Sequence, residues 1–364
     1  MLAMTTAPDA KYKYQKLKNC LLQRIADGVY RCGEKISSEP ALSREFGLSR
    51  NTIRLAIQEL EAAGVLYRIQ GKGTFVCPKA PEAKRKIGLI IYDISYATHP
   101  LTSQLIRGID SVLSENGYLL DILASQRNSQ EENMEQLAEH YAGFLIGAYQ
   151  IDQLILQKLS QLMVPYLFVK NYQPARAADT VRCNFYQAGY LAAEHLIQNG
   201  RTDLALVCGN SEVAIFQEYR SGVTDCCLEN GAQLRRRNIY EIDPANPCSR
   251  LSEIVNCLTA ESPLPDGLLV IDDQIAADLM YQLQNRQIRI PEDIAVAGCN
   301  NMEISRLTSP PLTTIEIPTF ELGRTAAMEL LNRLNGQAEF PAPLPVKLVV
   351  RESTLNTNQQ YEVI

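Results

Sequence analysis

The chain has 364 residues, with 35 Lys and Arg against 41 Asp and Glu, and 46% apolar side chains. This length exceeds one compact domain and points to two or three. No stretch is long and apolar enough to span a bilayer, and MLAMTTAPDAKYKY lacks the apolar core of a leader, so a soluble cytoplasmic protein is expected. The charge is uneven. Residues 1–80 hold 13 Lys and Arg against 7 Asp and Glu, and the remainder 22 against 34. A basic head on an acidic body suits a protein that meets a polyanion at one end.

Residues 33–76 read GEKISSEPALSREFGLSRNTIRLAIQELEAAGVLYRIQGKGTFV. The pattern predicts a short helix over Glu39–Phe46, a turn at Gly47 and a second helix from Ser49, whose hydroxyl can cap it. Ile53, Ile57 and Leu60 lie at i, i+4 and i+7 and form one core-facing stripe. Arg50, Asn51, Arg54 and Gln58 lie off that stripe, and their side chains match the edges of guanine and adenine in a major groove. Val65–Ile69 and Thr74–Val76 read as a hairpin tipped by Gln70-Gly71-Lys72-Gly73. Arg68, Gln70 and Lys72 sit at or near the tip, where a phosphate or a minor-groove edge would be met. Helix, turn, helix and glycine-tipped ribbon together form a reader of duplex DNA.

CPKAPEAKRK (77–86) reads as a linker. Short apolar strands then alternate with helices. The expected strands are Lys86–Ser95, Tyr118–Ala124, Gly143–Ala148, Val164–Val169, Thr180–Cys183, Asp203–Cys208, Gly267–Ile271, Asp293–Gly298 and Val346–Val350. The expected helices are Leu101–Asn116, Glu131–Tyr141, Asp152–Leu162, Tyr186–Gln198, Glu218–Asn230, Gln274–Asn285 and Glu321–Leu334. Such alternation means βαβ units on parallel sheets, and about 265 residues of it mean two α/β lobes. Ligands of such sheets lie beyond the carboxyl ends of the strands, so a cleft between the lobes is the natural binding place.

Ten cysteines are scattered without a C-x-x-C pair and read as small core residues in a reducing compartment. His99, His140 and His195 are too far apart in sequence to suggest a metal site. No G-x-S-x-G, phosphate loop, G-x-G-x-x-G or H-E-x-x-H occurs, so no enzyme, cofactor or catalytic residue is expected.

Residues 11–76 resemble the winged helix-turn-helix of the GntR family of bacterial repressors. The matching pieces are Ser38-Glu39, Leu48-Ser49-Arg50, Glu59 to Gly64 (ELEAAG) and Gln70 to Val76 (QGKGTFV). By position, the resemblance implies DNA contacts from Ser38, Ser49, Arg50, Asn51, Thr52, Arg54, Gln70, Gly71 and Lys72. Pro40 stands where the family usually has an arginine. Residues 86–355 resemble the periplasmic-binding-protein-like domain of LacI/GalR repressors through IGLIIYDIS (87–95), RGIDSVLSENGY (107–118), AAEHLIQNGR (192–201), YRSGV (219–223), VIDDQIA (270–276), IPEDIAVAGCNN (290–301), SPPLTTIEIP (309–318) and LVVREST (348–354). A GntR-type head on a LacI-type body is also the layout of the arabinose repressors of Gram-positive bacteria. The resemblance implies a winged helix-turn-helix over 11–77, a linker over 78–86, and a two-lobed effector-binding and dimerisation domain with parallel sheets over 87–355.

In the cleft it implies effector contacts from Arg220, Asp272, Asn300, Lys170, Phe216, His99 and Tyr96. Arg220 belongs to the family's R-x-G segment. Asp272 would accept from sugar hydroxyls, with Asp273 capping the next helix. Asn300 stands where most relatives have aspartate, and Lys170 where some do. Phe216, Tyr96 or His99 would stack on a sugar ring, and Asp243-Pro244-Ala245 replaces the family's usual aromatic stacker. The implied function is a homodimeric repressor of carbohydrate-utilisation genes that binds operator DNA under control of a sugar such as arabinose. The alternative effector is a purine or other non-sugar metabolite.

Overall fold

The computed structural model of the chain describes residues 7–77, 85–91, 97, 99–124, 134–148, 153–170, 179–243, 247–260, 263–337 and 342–355. The head opens on α1 (Ala7–Ala26), whose Leu17 and Leu21 are fully buried against the motif that follows. Ser38 starts α2 (Glu39–Phe46), its hydroxyl accepting from the Ala41 N–H at 3.4 Å. Pro40 falls in the first turn, where a missing N–H costs nothing. Gly47 ends the helix at φ 62°, a left-handed backbone that suits glycine. Ser49 caps α3 (Arg50–Ala62), accepting from the Thr52 N–H at 3.2 Å, and Ile53, Ala56, Ile57 and Leu60 form its buried stripe. β1 (Leu66–Ile69) and β2 (Gly73–Val76) pair antiparallel, with Lys35 bridging to Phe75 on the outer side. The head closes on an apolar core of its own.

The first lobe is built from β3 (Lys86–Ile91), α4 (Pro100–Glu115), β4 (Leu119–Ala124), α5 (Met134–His140), β5 (Tyr141–Ile146), α6 (Gln153–Gln161), β6 (Tyr166–Val169) and β7 (Thr180–Val181). Its sheet runs β4-β3-β5-β6-β7, parallel throughout. Lys86 therefore opens a strand instead of closing the linker, of which 78–84 lie outside the described residues. The second lobe holds α7 (Phe185–Gln198), β8 (Asp203–Gly209), α8 (Ala214–Asn230), β9 (Gln233–Ile242), α9 (Leu251–Ala260), β10 (Gly267–Val270), α10 (Asp273–Gln284), β11 (Ala295–Cys299), α11 (Ile304–Leu307) and β12 (Thr313–Glu316). The chain then returns to the first lobe as α12 (Thr319–Leu334), and comes back as β13 (Lys347–Val349). The second sheet runs β13-β12-β11-β10-β8-β9 and is parallel except for β13.

Each lobe carries one glycine-tight helix pair. A Cβ on Gly108 of α4 would lie 2.1 Å from the Phe320 carbonyl oxygen of α12, and one on Gly323 2.3 Å from that of Leu105. Gly189 of α7 and Gly222 of α8 make the matching approach in the second lobe, at 2.0 Å from the Tyr219 and Tyr186 carbonyls. Apolar strand and helix residues of both lobes form one large core, and a second cluster of Ile90, Phe144, Ile146, Ile155, Leu156 and Leu159 lies in the first lobe.

Candidate functional site

Two faces gather the residues singled out by sequence. On the head, Arg50, Asn51 and Arg54 are exposed along α3, and Gln70, Gly71 and Lys72 are exposed at the hairpin tip. Ser38 and Ser49 are spent as helix caps, which fixes the starts of α2 and α3; the Ser49 and Thr52 hydroxyls also share a 2.8 Å hydrogen bond. Glu39 ties this face together. Its carboxylate accepts from Arg54 of α3 at 3.3 Å and from Arg68 of the ribbon at 3.2 Å, while Arg68 also reaches Glu61 at 3.1 Å. An exposed ion pair contributes about 0–1 kcal/mol. A bidentate arginine–guanine pair contributes about 1–3 kcal/mol of discrimination. The Glu39 pair is thus weaker than a base contact would be, and it leaves the Arg54 guanidinium half-exposed on the face of α3.

The second face lies where the carboxyl edges of the two sheets meet. His99 is the N-cap of α4, its Nδ1 accepting from the Leu101 N–H at 3.4 Å. That bond leaves the proton on Nε2, so the neutral ring has a donor to offer. Burial lowers the His99 pKa, with the charge of Asp272 opposing and that of Lys170 reinforcing the shift. His99 of the first lobe thus stands in the field of Asp272 in the second, with Lys170 of its own lobe close by. Asp272 caps α10, accepting from the Gln274 and Ile275 N–H groups at 2.9 and 3.3 Å, and its other oxygen accepts from the Asn300 side-chain amide at 3.0 Å. Lys170, Asn300 and Asn301 have φ of 68°, 103° and 48°. Such backbone costs about 1–3 kcal/mol per residue in non-glycine positions and tends to mark ligand clamps.

Residues 193–354 match a periplasmic binding protein-like domain, and residues 13–76 match the gntR family of bacterial regulatory proteins. The chain is a DNA-binding transcriptional regulator whose head matches the gntR family and whose body matches a periplasmic binding protein-like domain. This regulator is similar along nearly its whole length to an arabinose metabolism transcriptional repressor of Halalkalibacterium halodurans, at 26% identity over 96% of this chain and 99% of that protein. A namesake from Geobacillus stearothermophilus is 27% identical over 88% and 91%. The HTH-type transcriptional repressor PurR of Photobacterium profundum is 27% identical over 75% of this chain and 82% of its own length. Among solved structures, a transcriptional regulator CelR–cellobiose complex gives a TM-score of 0.67 at 21% identity, covering 93% of this chain and 99% of that one. A LacI family regulator from Enterococcus faecium with bound ribose gives 0.64 at 24%, covering 74% and 98%. At these identities the two structures bear on the fold alone.

The structure brings four of the seven cleft candidates together: His99, Lys170, Asp272 and Asn300. Arg220 of α8 stands at the carboxyl edge of the second sheet. Its guanidinium lies 3.4 Å from Glu241 at the end of β9, and it lines a recess of about 400 Å³ with Ser211, Gln217, Ser221, Thr224 and Asp225. Successive helical residues point about 100° apart, and in the regulator it is Tyr219 that turns inward. Tyr219 is fully buried, and its hydroxyl has no hydrogen-bond partner among the described residues. Phe216 packs on Gly209 at the end of β8, where a glycine Cβ would lie 2.2 Å from the ring. His99 serves as a helix cap, a role the sequence reading did not give it. Tyr96 lies outside the described residues.

Asp273 is the clearest correction. It was expected to cap the helix, but Asp272 does so, and Asp273 turns inward to accept from the Met302 N–H at 2.7 Å and the Thr314 hydroxyl at 2.6 Å. Burial pushes its carboxyl up to about 7 although both hydrogen bonds oppose the shift; burial raises Asp272 too. A carboxyl raised above its unfolded value stabilises the fold fully below that value and loses this contribution as pH rises through the folded one. Asp273→Asn is therefore expected to flatten the decline in melting temperature between about pH 4 and pH 7. His99 and His195, both lowered by burial, act in the opposite sense, contributing above 6.5 and losing that contribution as pH falls through their folded values. They are common to both proteins and cancel in the comparison. Parallel melting curves across this range would remove Asp273 as the source.

No helix among the described residues is long and apolar enough to cross a membrane. Of the cysteines, 183, 208, 226, 227 and 299 are buried, 20 and 77 partly so, and 32 and 257 exposed. Among the described residues no three His, Cys, Asp or Glu side chains are placed to hold a metal ion.

Proposed function

We propose that the chain is a cytoplasmic, homodimeric repressor of carbohydrate-utilisation genes, with a small sugar such as arabinose bound in the interlobe cleft as its effector. The observation that carries this reading is the meeting of His99, with Lys170 close by in the same lobe, and Asp272, bonded to Asn300, in the other. Lys170 and the His99 Nε2–H donate, while Asp272 and the Asn300 amide oxygen accept. A sugar hydroxyl does both, so alternating donors and acceptors on two facing walls suit a polyol better than a flat apolar ring. The two arabinose repressors similar over most of their length support the same reading.

In the dimer, two heads would read the halves of a palindromic operator, each placing α3 in a major groove, with the half-site spacing set by the bodies. A sugar that binds one lobe arrangement better shifts the population towards it and so moves the heads. A purine or other non-sugar effector is the second reading, favoured by the amide Asn300 in place of a carboxylate and by the relatives named PurR.

Calorimetric titration with L-arabinose, D-ribose, D-galactose, guanine and hypoxanthine separates the two. A sugar should bind the wild type, and Lys170→Ala should weaken that sugar by about 1.5–3 kcal/mol, the usual contribution of a hydrogen bond to a charged group. Binding of a nucleobase alone would establish the second reading. A Lys170→Ala variant with unaltered sugar affinity would remove this lysine from the site.

A further inference from the structure

Two helices of the first lobe run from the cleft to the head. α4 is capped by the cleft residue His99 at one end and by Asn116 at the other. Beyond its end, the Arg85 guanidinium lies 3.4 Å from the place a Gly117 Cβ would take, and 3.8 Å from the carboxylate of Asp27 in the head. α12 starts at Thr319, where the chain crosses between the lobes, and ends at Leu334, whose carbonyl accepts from the side-chain amide of Asn19 in the head at 2.9 Å. The last four carbonyls of a helix have no partner within it. Those of Leu331, Asn332 and Arg333 are taken by the N–H groups of Asn335, Gln337 and Gly336, and that of Leu334 by the head. Each helix has 16 residues, about 24 Å of rod at 1.5 Å per residue.

The two rods cannot slide past each other easily. Gly108 and Gly323 put backbone against backbone where they cross, and Arg324 donates to the Ser111 hydroxyl at 3.1 Å. Arg333 clamps the last turn of α12 to the Tyr166 carbonyl and to Asp179 at 3.4 and 3.2 Å. Tyr166 opens β6, the strand that leads into Lys170. Both cleft residues of the first lobe are thus fixed, within a few residues, to rods whose far ends touch the DNA-reading domain.

We infer that the paired α4 and α12 form the lever by which cleft occupancy reaches the head, and that Asn19 and Asp27 are the two points where the head grips it. The inference rests on the cleft being the effector site proposed above. It predicts that the Asn19→Ala/Asp27→Ala double variant binds its effector and its DNA but no longer links them.

Two measurements on the full chain test it. In the absence of any effector, hydrogen exchange of 331–337 should be several-fold faster in the variant; unchanged exchange overturns the grip whatever the effector is. With L-arabinose, D-ribose and guanine as probes, the wild type should change its affinity for promoter duplex by roughly 5–150-fold, the usual range of such coupling. The variant should change by less than about twofold, at an unaltered calorimetric affinity for the same probe. A variant that keeps the full wild-type response overturns the lever. Should no probe bind the wild type, the reading of the cleft falls, and the grip stands or falls on exchange alone.

Discussion

Arg54→Ala is expected to weaken binding to the operator by about 1–3 kcal/mol, or roughly 5–150-fold, and to lower discrimination against scrambled duplex by a similar factor. Arg54 is exposed at the middle of α3, one turn beyond Arg50, and Glu39 holds it only by a half-exposed ion pair. The lost term is therefore the base contact and not the stability of the head. Thermal unfolding should be nearly unchanged, because Ile53, Ala56, Ile57 and Leu60 on the opposite face make the core. Gel retardation with duplexes covering the promoters beside the gene, at fixed salt, gives the measurement. An Arg54→Ala protein that keeps both affinity and discrimination would mean that α3 is not the reading helix.

Gly189→Ala is expected to lower the stability of the body by about 1–3 kcal/mol, the usual cost of forcing a methyl group into a packed interior. The new Cβ would sit 2.0 Å from the Tyr219 carbonyl, on a stiff helix that cannot step aside as a flexible side chain would. α7 and α8 must then separate along their length, loosening the packing around Tyr219 and Val223. Each kcal/mol corresponds to about 2–4 °C in a large domain. Gly147→Ala is the control: its nearest neighbour would be Leu89 at 3.7 Å, ordinary contact, and its cost should stay within about 0.5 kcal/mol. Equal melting temperatures for the two variants would show that the close approach does not hold the second lobe together.

From Glu39 to Val76 the head was legible almost residue by residue, because its signals are local, whereas α1 was not among the expected helices. Ser38, Ser49 and Gly47 mark helix ends by their own chemistry, and the stripe Ile53–Ile57–Leu60 marks the inner face. The strands of the body were legible wherever they are buried on both sides, as in Ile87–Ile91 or Leu268–Val270. β9 was not among the expected strands. It lies at the edge of its sheet, so Arg236 and Arg237 face solvent and the run reads as polar. β12 escaped because its buried Thr313 and Thr314 satisfy their hydroxyls on Arg351, Thr354 and Asp273, partners distant in sequence. α9 carries a stripe of Leu251, Ile254, Val255 and Leu258 and was not among the expected helices.

The helix expected over Glu131–Tyr141 ends a residue earlier, since Tyr141 opens β5 and donates its hydroxyl to Asp121 across the sheet. In the cleft the choice of residue types was readable, but the directions of neighbouring side chains were not. Asp272 against Asp273 turns on which of two adjacent residues faces inward. That is settled by the packing of helices against the sheet, and spacing alone does not encode it.

The path of α12 has a consequence for biosynthesis. Leu322, Ala326, Ala327 and Leu330 complete the interior of the first lobe, yet they follow the entire parallel portion of the second lobe in the chain. As the polypeptide leaves the ribosome, the head can close first and most of the second lobe next. The lobe nearest the head must wait, one apolar flank uncovered, until residues beyond 330 emerge. Nascent chains halted before that point are the ones for which a chaperone should compete most strongly.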